Sequence, residues 1–155
     1  MKGNQQLIGK LNALLVDEMV AAEQYFLHAR MYHNWGLHKL YERINHEVQD
    51  ELNHASALIE RILFLEGQPV LGARGPIELG RDVPEMLCKD LDLELMVVKN
   101  LREVMAYCES INDYVTREEL AAMLKDTEQD HAHWLEIQLG LIERLGLANY
   151  QQAMM

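Results

Sequence analysis

The chain has 155 residues, nearly half of them hydrophobic and a quarter charged, with a formal net charge of −11. That suits one soluble domain with a sizeable core. An acidic surface repels nucleic acid and anionic membrane, which excludes both as expected partners. Cys88 and Cys108 are the only cysteines and form no metal-spaced pattern, so two reduced thiols and a cytoplasmic setting are expected. The first residues carry no leader-like apolar core, and no apolar run approaches membrane-spanning length.

The three prolines all fall between Pro69 and Pro84, leaving two long stretches free of helix breakers. Apolar residues recur at helical spacing in four segments, which predicts an all-α protein. The first helix is expected over about 5–34, stopping near Gly36. The second is expected over about 37–66, ending at Gly67-Gln68-Pro69. A crossover of about 67–82 follows, rich in glycine. The third helix is expected over about 83–111, with Asp82 as cap and Pro84 in the first turn. The fourth is expected over about 116–145, opened by the capping-box pattern Thr116-Arg117-Glu118-Glu119. A short fifth helix is expected over about 147–154.

The short first and third joints predict two antiparallel hairpins. A thirty-residue helix is about 45 Å long, and some fifteen extended residues span roughly 50 Å. The crossover can therefore run the length of the bundle and start the third helix at the far end. That is the one-crossover topology of a ferritin-like four-helix bundle.

Charged residues occupy core positions. Leu11, Glu18 and Tyr25 share a heptad line on the first helix, and Ile44, Glu51, Leu58 and Leu65 on the second. Leu87, Glu94 and Leu101 form the line of the third, and Ala121, Glu128, Leu135 and Ile142 that of the fourth. Each helix thus brings one glutamate to its buried stripe, which is costly unless the carboxylate is paired or metal-bound. Two of them carry a histidine three residues on, in Glu51-Leu52-Asn53-His54 and Glu128-Gln129-Asp130-His131. That spacing puts both side chains on one side of a helix. Two Glu-x-x-His pairs with two lone glutamates form the ligand pattern of di-iron carboxylate bundles. Four carboxylates carry the charge to match two divalent ions, of which Fe, Mn and Zn all suit such ligands. Buried salt bridges are the alternative for any one glutamate taken alone.

The chain resembles the bacterioferritins along its whole length. The likeness rests on Gln24-Tyr25-Phe26-Leu27-His28-Ala29-Arg30-Met31, Asn34-Trp35-Gly36-Leu37, Glu60-Arg61-Ile62-Leu63-Phe64-Leu65-Glu66-Gly67 and Gly146-Leu147-Ala148-Asn149-Tyr150. The resemblance implies iron storage and detoxification in a hollow shell of twenty-four subunits. It also implies a ferroxidase di-iron centre in each bundle, where dioxygen or peroxide oxidises ferrous iron. By the family pattern Glu18 and His54 would serve one iron, Glu94 and His131 the other, with Glu51 and Glu128 bridging. Tyr25 and Trp35 match family aromatics near that centre, and Trp35 equally suits packing. His46 and Asp50 match a family iron site on the cavity wall, or form a solvated i, i+4 pair. His28, His33, His38 and His133 read as surface or packing residues.

The chain departs from the family around position 52, where Glu23, Asn45 and Gln49 are also more polar than a haem wall would be. Bacterioferritins bind haem b through a methionine directly after the bridging glutamate of the second helix, and here Leu52 stands there. Little or no methionine-ligated haem is therefore expected in a homo-oligomer. Two assemblies follow: a haem-free shell of this chain, or a mixed shell with a haem-binding bacterioferritin subunit. In the second, this chain could be a non-catalytic structural partner. A small ferredoxin is implied as electron donor for iron release, its docking put in doubt by the change around Leu52.

Overall fold

The computed structural model describes residues 1–155 and contains helices and no strands. Helix α1 (Gln5–Asn34) starts at Asn4, whose side chain accepts the amide of Leu7. A tight turn through Gly36, at φ 76°, leads to α2 (His38–Phe64). Helix α3 (Val83–Ser110) is capped by Asp82, which accepts the Glu85 amide at 2.9 Å and has proline in the first turn. Helix α4 (Tyr114–Lys125) runs without a break into a π-helical segment (Asp126–Ala132) and then α5 (His133–Leu145), so the three form the fourth rod of the bundle. Helix α6 (Leu147–Ala153) closes the chain after Gly146, at φ 81°.

The start of the fourth rod corrects the sequence reading. Its cap is Asp113, which accepts the Thr116 amide at 3.0 Å and the Thr116 hydroxyl at 2.7 Å, so Thr116 already lies inside the first turn. Arg61 donates to the same Thr116 oxygen at 2.8 Å and ties this cap to the end of α2.

The crossover is fastened along α1. Asn12 accepts the Val70 amide at 2.7 Å and donates to the carbonyl of Gln68 at 3.0 Å. Arg74 pairs with Glu23, and the Gly80 amide donates to Nε2 of His28 at 3.1 Å. From Asn12 to His28 these attachments span about 24 Å of helix. Gly80 is required where it stands, because a Cβ there would meet the Met86 backbone nitrogen at 2.4 Å.

Two separate apolar clusters fill the bundle. One holds Leu11, Leu15, Ala55, Leu58, Val97, Leu101, Leu120 and Met123 among its members. The other holds Ala21, Tyr25, Leu40, Ile44, Leu87, Leu135 and Tyr150. Tyr150 anchors α6 by donating to Gln138 at 2.9 Å. Between the two clusters, on all four rods, lies a layer of polar side chains.

Candidate metal centre

The polar layer arises because each rod carries a charged or polar side chain on its inward face between two apolar turns. Helix α1 contributes Glu18, α2 contributes Glu51 and His54, and α3 contributes Glu94, all buried. The π-helical segment contributes His131, also buried. Two groups of potential ligands result, Glu18, Glu51 and His54 on one side and Glu51, Glu94 and His131 on the other.

Glu51 belongs to both. Its Oε2 lies 3.5 Å from Nδ1 of His54, and its Oε1 lies 2.8 Å from Nδ1 of His131. Glu18 stands 3.5 Å from Nδ1 of His54 and Glu94 stands 3.4 Å from Nδ1 of His131. The two imidazoles lie with ring centroids 6.0 Å apart and planes within 23°. Both rings therefore aim one nitrogen into the layer.

These groups converge as carboxylate–imidazole contacts of 2.8 to 3.5 Å, without well-aligned hydrogen bonds between them. Both oxygens of Glu18, Oε1 of Glu51, Oε2 of Glu94 and Nδ1 of both histidines are buried and have no hydrogen-bond partner. Buried polar atoms are almost always satisfied, so orphans concentrated in one layer mark a place built for a cation. The protons carry the same message. Burial, reinforced by neighbouring Glu51, raises Glu18 to about 8. Burial opposes charge on His54, but Glu18 and Glu51 outweigh it and hold the ring protonated to about 11. Burial likewise opposes charge on His131, and Glu47, Glu51 and Glu94 hold it far above the ordinary histidine range. Burial raises Glu94, with His131 and Tyr25 drawing it back. Protons here stand where divalent ions would neutralise the same carboxylates.

Supporting contacts fix the ligand orientation. Asp126 lies 2.8 Å from Nε2 of His54 and holds that ring with Nδ1 inward. Tyr25 is fully buried, donates to Glu94, and is itself raised well above the ordinary tyrosine value by burial and by the Glu94 charge.

The structure corrects the sequence reading at Glu128. That side chain is half exposed and pairs with Arg102 at 3.3 Å on the outside of the bundle. The inward position is taken by Thr127, fully buried. The cause is the π-helical segment, which carries an extra residue per turn and rotates the chain ahead of it. Along the fourth rod the inward residues are Met123, Thr127, His131 and Leu135, each four apart, so an i, i+3 glutamate before His131 faces away. Trp35 also lies elsewhere. It caps α1 well beyond the layer, partly exposed and edge-on to Tyr32.

Sequence reasoning missed Glu47, Asp126 and Asp130. Glu47 sits one helical turn before Glu51, on the same face, and that i, i+4 spacing was the available signal. It is buried, with Oε2 at 2.6 Å from Nε2 of His131. His46 and Asp50 come within 3.5 Å of each other, His46 largely exposed. Of the histidines read as surface or packing, His28 is fully buried against Asp90 at 2.8 Å, while His33, His38 and His133 are exposed.

Leu52 lies with Met19, Phe26, Leu27, Val48 and Ile77 in an open apolar groove of about 380 Å³ on the α1–α2 face. Its side chain carries no lone pair, so position 52 does not fit as an axial ligand to haem iron.

A ferritin-like domain family matches residues 8–145. A protein named bacterial ferritin from Synechocystis sp. is 57% identical over 155 residues, covering 100% of this chain and 99% of its own length. The bacterial ferritin of Pseudomonas aeruginosa is 52% identical over 153 residues, covering 99% of each chain. A bacterioferritin from Rhodobacter capsulatus is 38% identical over 146 residues, covering 94% of this chain and 90% of its own.

Proposed function

The chain belongs to the ferritin-like family, among the bacterial ferritins and bacterioferritins, and from that premise we propose that it stores iron and oxidises ferrous ions inside its own bundle. The observation that carries the reading is the layer of unpartnered carboxylate oxygens and imidazole nitrogens around Glu51. Glu18, His54 and one oxygen of Glu51 would hold one iron. Glu94, His131 and the other oxygen of Glu51 would hold the second. When bound, the ferrous pair supplies electrons to dioxygen or peroxide.

The chain's own residues set the conditions for that exchange. Glu51 ties the two positions together, Asp126 holds His54 in register, and Tyr25 holds Glu94. The flanking apolar clusters keep water from the layer, so charge interactions within it are strong. With Glu128 outside, Glu47 is the fourth buried glutamate of this stretch, and it is paired with Arg43 at 2.5 Å and with His131 at 2.6 Å. Ferric iron would then be laid down as mineral within a cytoplasmic shell of twenty-four subunits, to be released by a small reductant such as a ferredoxin.

A second reading makes the chain a non-catalytic subunit in a mixed shell with a haem-binding relative. It draws on two departures together, the outward Glu128 and the leucine at position 52. Stopped-flow oxidation of anaerobically loaded ferrous protein separates the two. The catalytic reading requires a fast phase that Glu51→Ala and His131→Ala abolish. Oxidation no faster in the wild type than in those variants leaves the structural reading standing.

A further inference from the structure

We propose that Asp90 is a positioning residue for the metal layer, a buried carboxylic acid that carries its proton on Oδ2 at neutral pH and locks α1 to α3 in the register from which Tyr25 reaches Glu94. The proposal deepens the metal-centre reading and rests on it for the use of that register.

Three cross-links join α1 to α3 beside the layer. Gln24 donates to Oδ1 of Asp90 at 2.8 Å, Tyr25 donates to Glu94, and Nδ1 of His28 lies 2.8 Å from Oδ1 of Asp90. The outer two end on Asp90, which stands one helical turn before Glu94 on α3. On α1 they bracket Tyr25, at positions 24 and 28. Removing the Asp90 carboxyl therefore frees α1 on both sides of the tyrosine that holds a metal ligand.

The tautomer of His28 settles the charge. A backbone N–H can only donate, and the Gly80 amide approaches Nε2 of His28 at 3.1 Å. Nε2 must therefore present its lone pair, which leaves the ring proton on Nδ1, facing Asp90. A doubly protonated ring would set its Nε2–H against the Gly80 N–H in a fully buried place. His28 is thus neutral, and it is the only group within ion-pair range of Asp90.

An ionised Asp90 would then be a buried charge with no counter-ion, which costs far more than a buried neutral acid. Its Oδ1 already accepts from two donors, while Oδ2 has no hydrogen-bond partner, so the proton belongs on Oδ2. Burial pushes Asp90 above the ordinary aspartate value, with His28 and Gln24 drawing it back. The other titratable groups around it bring no positive charge. Tyr25 and Tyr32 of α1 are raised by burial first and by the Asp90 charge among their neighbours, α3 brings Glu94, and α6 brings Tyr150 toward Tyr32.

The test joins infrared spectroscopy of the metal-free assembled protein at neutral pH to Co(II) titration. The wild type should show a carboxylic-acid C=O band that shifts in D2O and is lost in Asp90→Asn. Bands from other protonated carboxyls, Glu18 among them, are shared by both proteins and cancel in the difference. Asparagine keeps the acceptor at Oδ1 and places an N–H donor where Oδ2 carries its proton, so Asp90→Asn should bind Co(II) nearly as tightly as wild type. Asp90→Ala removes the acceptor of both outer cross-links and should weaken Co(II) binding by about tenfold, the lower end of what ligand-orienting groups contribute. If Asp90→Ala assembles poorly, Gln24→Leu, which removes one cross-link and keeps the bulk, should weaken binding in the same direction. No band lost in Asp90→Asn, or Co(II) binding in Asp90→Ala or Gln24→Leu equal to that of the wild type, overturns the proposal alone. A wild type that takes up no Co(II) overturns the metal-centre reading and the proposal together.

Discussion

Thr127 is fully buried while its neighbour Glu128 is half exposed against Arg102, an inversion imposed by the π-helical turn. Glu128→Ala is therefore expected to leave ferrous oxidation within about twofold of wild type, because an exposed ion pair contributes little. Stability should change by no more than about 0.5 kcal/mol. Glu51→Ala removes the group shared by both ligand sets. It should lower the rate by at least the ten- to hundredfold range typical of groups that merely orient ligands. Equal losses in the two variants, measured by stopped-flow absorbance, would return Glu128 to the centre.

Proton competition gives the metal-free protein a definite pH dependence. Glu18 keeps its proton to about 8 in the folded state against an ordinary 4.5, so the folded chain holds the extra proton between those values. His54 keeps its proton to about 11 against an ordinary 6.5, with the same sign. Both contributions are fully present at low pH and are lost as pH rises, from about 4.5 to 8 for Glu18 and from 6.5 to 11 for His54. The same protons must leave before a cation enters, so affinity should climb with pH. Thermal melts of chelator-treated protein should show falling stability from pH 5 to pH 8, and Co(II) titrations should show tightening over the same range. Cobalt affinity flat across that range would mean these residues are not the ligands.

The fold was legible because helix period, caps and breakers all point the same way. Asp82 and Pro84 mark the start of α3 in the sequence as they do in space, and the glycine-rich crossover marks itself by composition. Glu18, Glu51 and Glu94 were legible as charges on an apolar stripe. The fourth rod defeated the same method because heptad counting assumes an α-helix throughout. A π-helical turn shifts the inward face by one residue, and no residue between Asp126 and Ala132 announces it. Glu47 was hidden for a different reason. On a polar helix with many acids, burial separates it from exposed neighbours such as Glu42, and burial is set by what packs against it.

The end of the crossover hangs on one buried ring. His28 presents Nδ1 to Oδ1 of Asp90 at 2.8 Å and accepts the Gly80 amide on Nε2, and Gln24 donates to the same Asp90 oxygen at 2.8 Å. His28→Ala leaves a buried carboxyl and a buried amide short of partners and should cost about 3 kcal/mol. Faster deuterium exchange at Gly80, together with a lower melting temperature, is the expected signature. Unchanged protection there would mean that the packing of Ile77 and Met86 holds the crossover without the ring.

Leu52 offers no lone pair at the position where a thioether would ligate haem iron. Reconstitution of the assembled wild-type protein with haem is expected to give no bis-methionine spectrum. Leu52→Met places a thioether in the groove beside Phe26, Leu27 and Ile77, and should produce that spectrum if two copies meet across this face. A bis-methionine Soret and α-band in the wild type would show that Met19, the other thioether of the groove, serves instead.

The π-helical turn makes a deletion more informative than a substitution. Removing Thr127 takes out one residue while keeping Glu128 three positions before His131. An α-helix could then run unbroken through this stretch of the fourth rod. Met123, Glu128 and His131 would follow one another at spacings of four and three, the period of an inward α-helical face. Glu128 would take the place that Thr127 now fills, adding a carboxylate that both ligand sets can reach. The deletion variant should bind Co(II) more tightly at the pair, by about tenfold if one more carboxylate contributes about 1.4 kcal/mol. Its metal-free form should be less stable, since the new carboxylate is buried without a partner. Its crystal structure should show i→i−4 hydrogen bonding through the region. A π-helical turn that persists there, with Glu128 still paired to Arg102, would place its cause in the packing around His131 and not in the residue count.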